Sequence, residues 1–384
     1  MRVALVYDRL NKWGGAERVL LALHKLFPLA PLYTSVYDKK KAPWAEVFKV
    51  RTSFLQNFPF STRHELYAAL MPIAFESFYF DKYDLVISLT SEAAKGIITK
   101  PGTKHICYLL TPTRYLWSGY NEYFKNPILK FFSRPLVSYL RTWDKIAANR
   151  PDAFIAISKE VKGRIKEYYN RDSEVVYPPL MLARGPAPTF PPTSAPASIL
   201  KNNALRAVGS PSSRVTPRYI DYFLIVSRLV PYKKIDLAIQ AFNKLELPLK
   251  IVGTGSEMGR LKVMAKSNIE FLGNLTDREL VRYYSTCRAL IFPGIEDFGL
   301  TIPEAQSFGR PVIAFRAGGA LETIIEGKTG LFFDEQSVES LIAAIKQFEG
   351  LTFDPKDCIE QANKFSFERF KKEILRFVQD DTEK

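Results

Sequence analysis

The feature that most restricts this chain is an alternation, met twice, of short apolar segments with stretches whose apolar residues recur at helical spacing. The first block opens on MRVALVYD, continues through the turn-rich RLNKWGG, and reaches AERVLLALHKLF, where Val19, Leu20, Leu23 and Phe27 share one helical face until Pro28 stops it. DLVISL (84–89), HICYLL (105–110) and AFIAIS (153–158) are further buried-strand candidates. Strands alternating with helices predict a parallel sheet covered on its faces, an α/β fold.

The alternation breaks off after VVYPPL. Residues 181–217 are rich in Pro, Ala and Ser without periodicity and read as a linker or insertion. A second block follows, with strand candidates FLIVS, PLKIVG, IEFLG, ALIFPG, PVIAF and GLFF, and a helix opened by Thr276 with Glu279 three residues on, a capping box. The expected organisation is an N-terminal Rossmann-like domain over 1–180, a linker over 181–221, a C-terminal Rossmann-like domain over 222–364, and a final helix over 365–384 packing back on the first. At 384 residues the chain is long enough for two cores. Doubly wound sheets bind ligands beyond the carboxyl ends of their strands, so the post-strand loops, and a cleft between the two domains, are where to look.

Composition narrows the function. No run approaches the length of a bilayer span, and Val3–Tyr7 opens the chain without a signal-peptide layout, which predicts a cytoplasmic protein. Cys107, Cys287 and the exposed-looking Cys358 make no disulfide framework, and three histidines without CxxC or HExxH offer no metal cluster. A formal charge of +14 requires an anionic partner: nucleic acid, a membrane surface or a phosphorylated substrate.

Three loops of the second block carry candidate chemistry. In SRLVPYKKID, Arg228 and Lys233 follow a strand; they form either a diphosphate clamp or a solvated basic turn. In VGTGSE, Gly253 and Gly255 either let a backbone approach a nucleotide, before a helix that Ser256 caps, or make a plain turn. In PGIEDFGLTIPEAQSFG, Pro303 suits a first helical position, Glu304 the first turn and Gly309 the end. Glu296 lies in the loop before it, and the amides of Phe298, Gly299, Leu300 and Thr301 face a potential phosphate. In the first block, Gly14 and Gly15 before a helix offer amides of the same kind, or a turn.

These motifs, GGAER at 14–18, SRLVPYKKID at 227–236 and the Glu-x7-Glu of EDFGLTIPE at 296–304, resemble glycosyltransferase family 4. The phrases RTSFLQNFP, AKGIITKPGTKHICY, TPTRYLW and GGALETIIEGKTGLFF resemble most closely the bacterial GDP-mannose-dependent mannosyltransferases of O-antigen and other surface polysaccharides. The resemblance implies a GT-B fold, two facing Rossmann-like domains with the active site between them. It also implies a retaining, metal-independent transfer from a nucleotide sugar, with no cofactor, to a saccharide or polyprenyl-diphosphate-linked acceptor at the inner face of the membrane. Glu304 then holds the ribose, Glu296 the donor sugar in a catalytic role, Arg228 and Lys233 the leaving diphosphate, and Gly15 with the 298–300 amides its oxygens. One departure stands out: relatives commonly read HTP where this chain has Leu110, Thr111 and Pro112, and His105 reads as a packed core residue rather than a substitute. A UDP-sugar-dependent transferase, a sugar-nucleotide epimerase and a scaffold without transfer are the alternative readings.

Residues 112–150 hold seven basic residues against two acidic ones, interleaved with aromatics that include Trp117. This pattern suits an anionic membrane surface on the acceptor side, with Arg114 and Trp117 as its markers, or else aromatics packed as core. Nucleic acid is the weaker explanation, since no binding motif for it occurs and Glu296 and Glu304 repel phosphates.

Overall fold

The computed structural model describes residues 1–59, 64–182 and 222–379; the linker expected over 181–221 lies almost wholly outside them. The chain divides into two units, Met1–Met181 with Phe367–Lys384, and Leu182–Ser366.

The first unit is built on seven parallel strands: β1 (Val3–Tyr7), β2 (Leu32–Thr34), β3 (Val50–Thr52), β4 (Leu85–Thr90), β5 (Lys104–Leu109), β6 (Ala153–Ala156) and β7 (Glu174–Val175). Their order is β3-β2-β1-β4-β5-β6-β7, with registers such as Leu5↔Leu32 and Leu5↔Ile87 on either side of β1. Helix Gly15–Leu26 follows β1, burying Val19, Leu20 and Leu23. Long helix Pro127–Ala147 precedes β6, and helix Lys159–Tyr169 is capped by the Ser158 side chain. Helix Phe367–Gln379 belongs to this unit: Phe370 packs its ring on Tyr108, Lys104 Nζ donates to the Phe377 carbonyl at 2.6 Å, and Arg376 pairs with Glu174.

The second unit has six parallel strands: β8 (Phe223–Val226), β9 (Leu249–Val252), β10 (Ile269–Gly273), β11 (Leu290–Phe292), β12 (Val312–Phe315) and β13 (Gly330–Phe333). They run in the order β10-β9-β8-β11-β12-β13. One face of the sheet buries Phe223, Ile225, Ile251 and Ile291 under helices Ile235–Leu245 and Val338–Glu349. The other buries Leu224, Leu290 and Val312 against Tyr284, Ile302 and Phe308. The Thr276–Glu279 capping box forms in full. Both sheets reverse direction of winding once, between β1 and β4 and between β8 and β11, and at such a switch point the loops part to leave a crevice.

Two readings of individual residues need correction. Cys358 is fully buried on helix Pro355–Asn363, not exposed, and burial pushes its thiol up to about 12. Its neighbours Asp354, Pro355 and Asp357 gave the segment a polar look, but 358 falls on the inward face. Ser256 does not cap the helix after VGTGSE, which begins at Met258 with Glu257 in the cap position.

His105 on β5 is a core residue, fully buried, with Nε2 2.8 Å from Ser88 Oγ. Burial, with the Arg150 guanidinium adding to it, pushes the imidazole down to about 3. Between pH 6.5 and about 3 the unfolded chain therefore binds a proton that the folded chain does not. This contribution is complete above pH 6.5 and is lost as the pH falls. We expect His105→Asn to reduce the loss of stability between pH 7 and pH 4.5 by about 3 kcal/mol, at ~1.4 kcal/mol per pH unit. Urea unfolding at the two pH values checks it; parallel pH dependences would show that the imidazole is not held neutral.

Candidate functional site

In the second unit the two loops that leave the sheet on either side of the switch point meet. After β8 the chain runs through Arg228 to the short turn Pro231–Lys233; after β11 it runs through Gly294 and Glu296 to helix Thr301–Ser307. Lys233, 8% exposed, forms an ion pair through Nζ with Glu296 Oε1, so one loop supplies a cation and the other a carboxylate across the crevice. Arg228 is exposed beside them, its Nη2 donating to the Tyr232 hydroxyl at 2.7 Å.

Glycines allow the loops to close this tightly. Gly253 sits at φ +126, and a Cβ there would fall 1.9 Å from the Ser227 carbonyl oxygen. Gly319 packs against the backbone of Phe298, where a Cβ would come within 2.3 Å of its Cα, and its N–H donates to the Glu296 carbonyl at 2.9 Å. Gly255 belongs to the same weave: Leu229 N–H donates to Thr254 O at 2.9 Å and Glu257 N–H to Leu229 O at 3.0 Å. The backbone around Arg228, Lys233 and Glu296 is thus fixed before any ligand arrives, the condition for electrostatic stabilisation without reorganisation.

Helix Thr301–Ser307 starts two residues before the expected position, so Pro303 is its third residue rather than its first. Gly299, at φ +80, makes the turn that starts it, and Pro at this depth is tolerated because the first N–H groups of a helix lack intrahelical acceptors. Glu304 lies in the first turn as read, and Gly309, at φ +72, follows the helix end. Glu304 is 3% exposed, and its Oε2 accepts from the buried Tyr284 hydroxyl at 2.8 Å. Tyr284 stacks on Phe308 at 5.9 Å.

The structure therefore brings together Arg228, Lys233, Gly253, Gly255, Glu296, Phe298, Gly299, Leu300, Thr301 and Glu304 within one unit. Gly14, Gly15, Arg114 and Trp117 lie in the other. Gly14 caps helix Gly15–Leu26, with the buried Glu17 accepting from the Tyr7 hydroxyl at 2.5 Å. The switch point of that unit already holds an anion of its own. Asp8, just beyond β1, accepts from Thr90 Oγ1 at 2.7 Å and from the amides of Ser91 (2.7 Å), Glu92 (3.1 Å), Ala93 and Ala94 (3.0 Å each) beyond β4. Burial nevertheless raises its pKa, the donors opposing the shift. Five donors converging on a buried carboxylate leave that nest filled, whereas the equivalent crevice of the second unit is bordered by two cations. Trp117 donates through Nε1 to Asp144 Oδ2 at 2.8 Å and stacks on Tyr168 at 5.1 Å. Leu110, at the place of the histidine common in relatives, is 8% exposed.

Sequence reasoning missed Asp8, Tyr232, Tyr284 and Gly319. Gly319 was visible as a Gly-Gly pair after a strand; the tyrosines have no local signal, because their roles depend on partners from other turns of the chain. Among the described residues no group of three or more His, Cys, Asp or Glu side chains gathers to hold a metal ion.

Residues 218–365, which span this loop set, match the family of group 1 glycosyl transferases. A GDP-mannose-dependent α-(1-6)-phosphatidylinositol monomannoside mannosyltransferase of Mycolicibacterium smegmatis is 31% identical over 138 residues, 31% of this chain and 36% of the relative. An uncharacterised glycosyltransferase of Methanocaldococcus jannaschii is 30% identical over 149 residues, 37% of this chain and 42% of the relative. The chain thus spans about two fifths or less of the length of these relatives. Among solved structures, Anabaena HepE in complex with UDP-glucose superimposes with a TM-score of 0.67 at 19% identity, covering 99% of this chain and 100% of its own. WaaG, a glycosyltransferase involved in lipopolysaccharide biosynthesis, gives 0.67 at 14%, covering 98% and 99%. The fold class is that of the GT-B proteins, with two parallel-sheet Rossmann-like units in one chain.

Proposed function

We propose that the chain is a glycosyltransferase that takes a sugar from a nucleoside diphosphate, mannose from GDP-mannose, with retention and without a divalent ion. The observation that carries this reading is the Lys233–Glu296 pair spanning the switch point of the second unit, with Arg228 beside it. The match of residues 218–365 to a transferase family supports the reaction class, and the names of the curated relatives support GDP-mannose.

The chemistry follows from the charges. As the bond from the anomeric carbon to the diphosphate lengthens, negative charge grows on the phosphate oxygens and positive charge on the sugar ring. Lys233 has three protons to donate, so it serves the departing phosphate while keeping its bond to Glu296. Arg228, exposed and planar, offers a second, two-pronged contact to the diphosphate. The carboxylate of Glu296, steered by Lys233, steadies the positive charge of the ring. Glu304, turned by Tyr284, takes the ribose hydroxyls. No enzyme nucleophile is required if the leaving phosphate accepts the acceptor's proton on the same face. The acceptor is a saccharide or a polyprenyl-diphosphate-linked glycan at the membrane surface, in assembly of a cell-surface polysaccharide such as O-antigen.

A second reading, a UDP-sugar donor, is favoured by one observation: the structural relative HepE was solved with UDP-glucose. Thermal-shift measurements with GDP, UDP and ADP decide between them. At ~100 times its Kd the right nucleotide stabilises by ~2.7 kcal/mol. We expect GDP to give the largest shift; a larger shift with UDP overturns the mannose assignment, and no shift with any of the three overturns the donor site.

A further inference from the structure

One side chain meets both cations of the loop after β8. Arg228 and Tyr232 stand four residues apart, and Arg228 Nη2 donates to the Tyr232 hydroxyl at 2.7 Å. Lys233 Nζ lies 5.1 Å from the centroid of the same ring. Tyr232 thus touches an exposed guanidinium with its hydroxyl and a buried ammonium with its ring.

The backbone fixes where this tyrosine stands. Pro231, with its φ locked, opens the short turn Pro231–Lys233. Within the turn Val230 N–H donates to Arg228 O at 3.1 Å, Lys233 N–H to Val230 O at 3.1 Å and Lys234 N–H to Pro231 O at 3.2 Å. From the loop after β11, Gly294 packs so closely that a Cβ there would fall 3.0 Å from the Tyr232 carbonyl oxygen. The side chain of residue 232 is therefore delivered to the two cations by a turn held on both sides.

Both contacts are made by neutral groups. A carboxylate beside Arg228 would fix it as well but cancel its charge, whereas a phenol oxygen fixes the guanidinium and leaves its positive field for a phosphate. The face of the ring does the same for Lys233, whose ammonium already gives one contact to Glu296. Among the described residues no carboxylate pairs with Arg228. An exposed arginine without such a tether loses its rotamer freedom only when the ligand arrives, and that loss weakens binding.

We propose that Tyr232 is a positioning residue for the diphosphate, holding Arg228 through its hydroxyl and Lys233 through its ring and acting on the ligand only through them. The proposal rests on the reading of this crevice as a nucleoside-diphosphate site and names what makes its two cations ready before the ligand binds.

Calorimetric titration of the full chain with GDP, and with guanosine as the phosphate-free control, tests it. Tyr232→Phe keeps the ring and loses the hydroxyl, and should weaken GDP binding about fivefold while leaving guanosine binding unchanged. Tyr232→Leu loses both contacts and should weaken GDP binding about 20-fold. Arg228→Gln/Tyr232→Phe should bind GDP as Arg228→Gln does, because the hydroxyl then has no guanidinium to hold. A Tyr232→Phe protein that binds GDP as wild type overturns the proposal. So does an equal loss with guanosine, which would make the hydroxyl merely structural, or a double variant in which the two losses multiply. Wild-type binding by Tyr232→Phe beside a weakened Arg228→Gln sinks this proposal alone; wild-type binding by both Arg228→Gln and Lys233→Met sinks the diphosphate site itself.

Discussion

Lys233→Met is expected to lower sugar transfer about a thousandfold, near the upper end of what removal of one preorganised charge from a reacting site costs. Two effects combine. The departing diphosphate loses its buried cation, and Glu296, until then held by that ammonium, becomes a carboxylate with no fixed direction. Glu296→Gln separates the two, since it keeps Lys233 and alters only the group facing the sugar. Its turnover should fall about 100-fold or more while GDP affinity stays within about threefold of wild type. Single-turnover rates with nucleotide affinity determined in parallel distinguish these outcomes. Near-normal turnover by Glu296→Gln removes its role in steadying the sugar and leaves the cations as the sole chemical contribution of the two loops.

The largest expected effect on stability lies in the first unit, at Lys95. Its ammonium is fully buried and bonds Asp144 Oδ1 at 2.5 Å and the Glu92 carbonyl at 2.5 Å. Asp144 also accepts from Thr113 Oγ1 at 3.2 Å, from Trp117 Nε1 at 2.8 Å and from the Tyr169 hydroxyl at 2.7 Å. Lys95→Met leaves that carboxylate buried with neutral donors only, and should cost about 3–5 kcal/mol. Adding Asp144→Asn removes the stranded charge while keeping an oxygen for Trp117 and Tyr169. The double variant should therefore be more stable than Lys95→Met alone, by about 1–3 kcal/mol. Chemical denaturation of the wild type, Lys95→Met, Asp144→Asn and the double variant checks this; a double variant that loses the sum of both single changes would mean the pair carries no coupling. The same network holds Trp117 through its indole N–H, which donates to Asp144 Oδ2.

Much of the fold was legible because the central strands are continuous apolar runs, as strands buried on both faces must be. β2, β3 and β7, of three, three and two residues, escaped because so few residues carry no period. The second-unit loops were legible because glycine, proline and carboxylates follow strands there, each marking a backbone need or a charge without reference to distant residues. What stayed hidden depends on long-range pairing. Asp8 looked like the end of a strand, yet its partners lie more than eighty residues on, and Tyr284 reaches Glu304 from the helix before β11. Nor does the spelling of SRLVPYKKID reveal that Lys233, rather than its neighbour Lys234, turns inward; Lys234 sits at φ +54 in the cap position of the next helix, which throws the two side chains apart.

The central claim is that a sugar nucleotide is gripped through its diphosphate by the loops after β8 and β11, with Lys233 and Arg228 in the place a metal ion takes elsewhere. Calorimetric titration of GDP into the full chain in the presence of EDTA tests this most directly, with Lys233→Met and Arg228→Gln run beside it. The account predicts binding that EDTA leaves unchanged and that each variant weakens at least tenfold, the ~1.4 kcal/mol or more expected of a charge-assisted phosphate contact. Binding that vanishes with EDTA, or that both variants retain at wild-type strength, contradicts it.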